Sequence, residues 1–310
     1  MGSAHLCAFG TTPRGLLKGY SSQPQPASQA FLLRVDLHCH SNASDGALPP
    51  AELLRLLAAD GVGLAAITDH DTLAGWSQID PELPVELGIR LIPGIEFSSS
   101  YNNQEFHVVG LGFEPGHAGL QAAVQEQVAR RHERARNLAA RLEYLGVPGS
   151  LEAALLNADG APPGRPHFAK FLLDSGRVRD FDEAFDRYLG EGKPAACPVT
   201  WPQMDVVIGW IRAAGGVAVL AHPTVYSFTR TRTKLRTLIA TFRDNGGGAV
   251  EVAMAGMAPD RMQPLAKLVA EFGLKASAGS DFHSVAQFWR RPVRIPELPA
   301  GVEPVWTEWL

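Results

Sequence analysis

Six of the ten histidines in this chain fall in short strings, five of them in strings that also hold carboxylates. His38 and His40 stand one residue apart in DLHCHSNASDG, which also holds Asp45; His70 lies in TDHD, Glu96 in GIEF, His107 in EFHVVG and His222 in LAHP. Asp281 and His283 close the series in GSDFH. Taken singly, each has a plainer use: Asp45-Gly46 is an ordinary turn, Asp71 an ordinary helix cap, and Pro223 a strand stop. As a set they point to metal. Imidazole and carboxylate without thiolate suit manganese, iron or zinc, and argue against a Cys-type structural zinc site. A catalytic ion takes about three protein ligands plus water, so nine ligands fit three ions better than one. Three dications would outweigh the charges of Asp45, Glu96 and Asp281, leaving a positive pocket suited to a hydroxide and a phosphate group. Two metals ~3.5–4 Å apart can bridge a hydroxide and clamp the oxygens of an in-line displacement.

Such a site needs a frame that brings distant segments together. FLLRVDLH, LAAIT, RLIPGIEFS, EFHVVGLGF, GVAVLAH, AVEVAMA and KASAGSD read as strands. Helical patterns at 48–61, 202–214, 234–244 and 259–272 alternate with them, the first with prolines at its start and Gly61 as its stop. That rhythm implies a parallel sheet with helices outside, open or closed into a barrel. The chemical residues fall at the C-terminal ends of the strands, where parallel β/α folds place their ligands. Residues two apart on a strand share a face, so His38 and His40 face one site while Cys39 faces away, as Phe282 does between Asp281 and His283. Between 116 and 194 the rhythm gives way to helices alone: a long one from His117 and shorter ones at 150–158, 166–175 and 180–189. This is the pattern of a helical cap inserted between a first barrel part (31–115) and a second (195–310). Residues 1–30 contain no Asp or Glu and read as a disordered or targeting tail.

The 310 residues are 45% apolar, enough for a sizeable core, and contain no apolar run near the ~20 residues that cross a bilayer. Cys7, Cys39 and Cys197 are too few and too scattered for a disulfide framework, which suggests a reducing, cytoplasmic setting. A net charge of -4 carries no global nucleic-acid signature.

DLHCHSNASDG, AAITDHDTLAGW, GIEFSSSYNNQEFHVVGLGF, AVLAHP and SAGSDFH closely resemble the polymerase-and-histidinol-phosphatase (PHP) phosphoesterases. Within that superfamily they are most similar to the RNase AM branch, which includes 3′,5′-nucleoside bisphosphate phosphatases. The resemblance runs from about residue 35 to the C-terminus. It implies a distorted seven-stranded β/α barrel with an inserted helical cap, and three divalent ions, manganese first, with iron or zinc as alternatives. It further implies one ion at His38, His40 and Asp281, Glu96 bridging to a second at His107 and His222, and a third at Asp45, His70 and His283. Asp69 would support the ligands without binding metal, and Asp71 would cap a helix.

The reaction expected is hydrolysis of the 3′-phosphoester of a 5′-phosphorylated nucleotide or short RNA, with Glu96, Asp45 and His222 at the chemical centre. No membrane and no obligate protein partner is implied. Arg165 and His167 in GRPHFAK, Lys193 in GEGKPAACP and Arg230 after the LAHP strand are the expected substrate contacts. Arg130, Arg131, Arg134, Arg136 and Arg141 spread around the long helix and read as salt-bridged surface. Two residues after the proline of AHP, where an Arg is common in the branch, this chain has Val225. Phosphatase action on histidinol phosphate or another small monoester is the alternative. An amidohydrolase shares HxH on its first strand but commonly bridges its metals through a strand lysine, and no Lys occupies a matching strand end here.

Overall fold

A computed structural model describes residues 33–198 and 200–310; the expected N-terminal tail lies outside them. Eight strands and ten α-helices follow one another within these residues. The first part holds β1 (Arg34–Cys39), α1 (Pro50–Ala59), β2 (Val62–Ile67), the short α2 (Ala74–Ser77) and α3 (Glu82–Glu86), β3 (Arg90–Leu91), β4 (Gly94–Tyr101) and β5 (Gln104–Leu111). A helical stretch follows: α4 (Ala118–Tyr144), α5 (Ser150–Ala158), α6 (Arg165–Asp174) and α7 (Phe181–Ala184), the last running into a π turn at Phe185–Leu189. Alternation resumes with α8 (Met204–Ala213), β6 (Val217–Leu220), α9 (Arg232–Asp244), β7 (Ala249–Met254), α10 (Pro259–Glu271) and β8 (Lys275–Gly279). No helix among the described residues is long and apolar enough to cross a membrane.

The strands form two sheets, β1-β2-β3 and β4-β5-β6-β7-β8, and neither closes on itself. Two expectations need correction. The strand read through RLIPGIEFS is interrupted around Pro93, which lacks the N–H a ladder requires, so eight strands stand where seven were expected. The second sheet is mixed, because β5 runs antiparallel to both β4 and β6. Asn102 and Asn103 take φ of 50° and 59°, the left-handed geometry of a two-residue hairpin turn, and they leave no room for a crossover helix.

The two sheets meet where the chemical residues lie. At one seam Asp281 N–H donates to His38 O (2.7 Å) and His40 N–H to Phe282 O (2.9 Å). At the other, Asp71 N–H donates to Glu96 O (2.9 Å), and His70 bridges Glu96. Apolar cores back this arrangement. Leu53, Leu54, Leu57 and Phe282 pack behind β1 and β2, while Ile208, Ile211, Leu238, Phe242 and Val269 cover the larger sheet. The helical stretch has a core of its own around Leu138, Leu142, Phe168 and Leu172.

Candidate metal centre

Strand alternation does what the HxH spacing requires. Cys39 and Phe282 are fully buried on the packing side, and His38, His40, Asp281 and His283 converge on the other. Two carboxylates hold the strand ends in place without joining the cluster. Asp36 accepts from the N–H and Oγ of Ser280 (2.9 and 2.6 Å), and Asp69 from the N–H and Oγ of Ser41 and the Oγ of Ser44 (2.6–2.8 Å). Burial pushes each of these carboxyls up to about 6, against the pull of their serine hydrogen bonds.

Glu96, fully buried on β4, is the hub. Its Oε1 lies 3.0 Å from His107 Nδ1, 3.1 Å from His222 Nε2 and 3.2 Å from His38 Nε2. Its Oε2 lies 3.0 Å from His70 Nδ1 and 3.3 Å from His40 Nε2. Asp281 Oδ1 sits 3.5–3.7 Å from His40, His38 and His283, and Asp45 3.4 Å from His283 and 3.7 Å from His70. All nine expected ligands are therefore in one constellation.

Burial opposes charge at His38, His40, Asp45, Glu96, His107, Asp281 and His283, yet mutual attraction prevails at all of these but His40. Glu96, Asp45 and Asp281 are held well below the usual carboxylate range by the surrounding histidines. Glu96, and Glu105 accepting from the His107 ring, raise His107 to about 10, and Asp45 raises His283 to about 9. His40 instead falls to about 3, through its burial and the neighbouring His283 and His70. Divalent ions would replace the protons that such raised values demand, since imidazole binds metal only when neutral.

The donor set fits such ions. His38 Nε2, both nitrogens of His40, Asp45 Oδ1, His70 Nδ1, Glu96 Oε2, His107 Nδ1 and His222 Nδ1 are buried without hydrogen-bond partners among the described residues. Buried polar atoms rarely stay unsatisfied. Four groups have ligand atoms within 4.8 Å of one another: His40, Asp45, His70 and His283; His38, Glu96 and His222; His38, His40 and Asp281; and His70, Glu96 and His107. Two trios expected from the resemblance, His38-His40-Asp281 and Asp45-His70-His283, are found together, the latter with His40 added. His107 and His222 share only Glu96, each grouping with a different histidine.

Several supporting residues escaped sequence reasoning. Glu251, alone among apolar neighbours on β7, lies 3.1 Å from His38 Nδ1 and accepts from His222 N–H (2.7 Å). Its isolation in AVEVAMA was the available signal. Gly279 makes this approach possible, because a Cβ there would come within 2.3 Å of His38 Cβ and 2.7 Å of Glu251 Oε1. Arg290 Nη1 lies 3.3 Å from Asp281 Oδ2. Asp71, His222 and Asp281 take positive φ (55°, 30° and 52°), a region non-glycine residues seldom occupy.

Two readings of charged residues are corrected. Asp71 caps no helix: it accepts from Ser98 N–H (2.7 Å), Gln127 Nε2 (2.8 Å) and Arg131 Nε (2.7 Å), fastening α4 to β4. Arg131 is accordingly buried, not surface. Arg134 pairs with Glu105 at 3.0 Å, and both arginines stack near Trp201.

Arg165, 3.5 Å from the same Glu105, joins Arg131 and Arg134 around a hollow of about 50 Å³ that Asp45, His70 and His107 also line. A larger cavity, about 820 Å³, opens beside it over His107, Arg134, Arg165, Val225 and Tyr226. His167 turns its Nδ1 back to accept from Gly164 N–H (2.9 Å), which orders the start of α6; burial lowers its pKa. Lys193 and Arg230 are exposed and line neither cavity.

The PHP domain family matches residues 36–152. A Haemophilus influenzae protein named 5′-3′ exoribonuclease is 40% identical over 273 residues, spanning 88% of this chain and 98% of its own length. The chain belongs to the PHP family. A Chromobacterium violaceum protein named 3′,5′-nucleoside bisphosphate phosphatase is 37% identical over 278 residues, 89% of this chain and 96% of that one. A solved structure of an amidohydrolase from C. violaceum, with bound sulfate and no metal, superimposes with a TM-score of 0.82 at 37% identity, over 89% of this chain and 95% of that one.

Proposed function

We propose that this PHP-family phosphoesterase hydrolyses the 3′-phosphoester of 5′-phosphorylated nucleotides or short RNA at divalent ions held by the nine converging side chains. One observation carries the reading: Glu96, wholly buried, faces five imidazoles within 3.3 Å, and the surrounding nitrogens lack other partners. Such an arrangement is costly unless cations complete it. The names of both relatives, an exoribonuclease and a bisphosphate phosphatase, support one chemistry on two substrate lengths.

When bound, divalent ions supply an activated water and an electrophilic hold on phosphate oxygens. The chain supplies the rest. Glu96, Asp45 and Asp281 stay ionised and fix the imidazoles, and Glu251 orients His38 and His222 from behind. Arg134 and Arg165, pooled around Glu105, take the 5′-phosphate and so set which ester reaches the cluster. We read the two sheets as a distorted barrel joined at its two seams, and the helices from α4 to α7 as its cap; three ions, manganese first, are the stoichiometry this reading carries. The deciding assay compares a 3′,5′-bisphosphate, a short 5′-phosphorylated RNA and histidinol phosphate with Mn²⁺ and with a chelator. Turnover of the first two, abolished by the chelator, is expected. Hydrolysis of histidinol phosphate alone, or activity indifferent to metal removal, would reject the reading.

A further inference from the structure

The 820 Å³ cavity beside the cluster does not end at its far wall. Gln104 and Phe228 belong equally to a second hollow of about 400 Å³, lined also by Tyr101, Asn102, Lys234 and Thr237. This volume lies within the ~300–1,000 Å³ range of small-ligand sites. Its lining mixes an aromatic face (Tyr101, Phe228), amides and hydroxyls able to pair with base edges or a 2′-hydroxyl, and one cation. Lys234 makes no ion pair among the described residues, whereas Arg236, two residues on, is held by Glu271 in a two-pronged pair (2.6 Å each). Phe228 also stacks on Tyr226 (5.4 Å, 23°), whose hydroxyl accepts from His107 N–H (2.8 Å). A path of rings thus leads from the cluster to the second hollow. Along β5, Gln104 stands three residues from His107, roughly 10 Å in an extended strand.

Resting on the proposed function, we infer that the hollow between the β4–β5 turn and the start of α9 is a second-nucleotide site for a single RNA strand. It receives the nucleotide on the far side of the cut phosphate, with Lys234 against the next phosphate. A mononucleotide bisphosphate never reaches it. The site therefore favours an oligonucleotide over a bisphosphate.

The test compares kcat/KM for a 3′,5′-bisphosphate and a 5′-phosphorylated tetraribonucleotide in the wild type and in two exposed-helix variants, Lys234→Glu and Thr237→Trp. Each variant is expected to lower the tetranucleotide value about 10-fold, the scale of one stacked base or one phosphate contact, with the bisphosphate value unchanged. Raised salt should weaken the wild-type preference and leave the Lys234→Glu ratio nearly flat. Equal losses on both substrates, or no loss on either, would overturn the site. Wild-type failure on both substrates would instead overturn the proposed function, and this site with it.

Discussion

Two walls face the same cavity and were built by different rules. The histidine-carboxylate wall comes from strand ends, where alternation forces His38 with His40, and Asp281 with His283, onto one side. The arginine wall comes chiefly from α4, a 27-residue helix with charge on every face. Only packing decides that Gln127, Arg131 and Arg134 turn inward while Arg130 pairs with Glu126 at the surface. A strand thus commits its side chains through local geometry, whereas a highly charged helix commits them only when its partner arrives.

This contrast can be broken at several points. The largest effect belongs to Glu96→Gln, which removes the one charge shared by five imidazoles. Turnover should fall by about 10³-fold or more, as when a preorganised charge-stabilising group is lost, with bound metal reduced in elemental analysis and the far-ultraviolet dichroism retained. Arg131→Met leaves Asp71 buried without its cation and should cost ~3–5 kcal/mol in urea unfolding. Glu251→Gln weakens the hold on His38 and His222 from behind, and should reduce metal affinity ~10–100-fold by titration. Glu126→Ala, at the solvent face of the same helix as Arg131, should shift stability by no more than ~0.5 kcal/mol. Should Arg131→Met prove as mild as Glu126→Ala, α4 is not fastened through Asp71 and the contrast between the walls fails.

The convergence of the strand-end histidines and carboxylates was legible because period-two geometry leaves little freedom. The β/α alternation was legible from apolar runs bounded by prolines and glycines. What was hidden depended on partners remote in sequence. Asp71 reads as a cap until Ser98, Gln127 and Arg131 are seen around it, and β5 reads as parallel unless Asn102-Asn103 is recognised as a hairpin turn. Glu251 acts through two histidines that lie 213 and 29 residues away. Lys193 and Arg230 show the converse, since basic residues close in sequence to a site need not reach it.

The left-handed backbone at His222 and Asp281 has an evolutionary consequence. Each such conformation costs of the order of 1–3 kcal/mol relative to a relaxed residue, and glycine at either place would recover most of that. A lineage freed from its chemistry would be expected to drift toward glycine or asparagine there and become sturdier. In this chain His222, 3.1 Å from Glu96, and Asp281, 3.5 Å from His40, hold backbone positions that glycine would occupy with less strain.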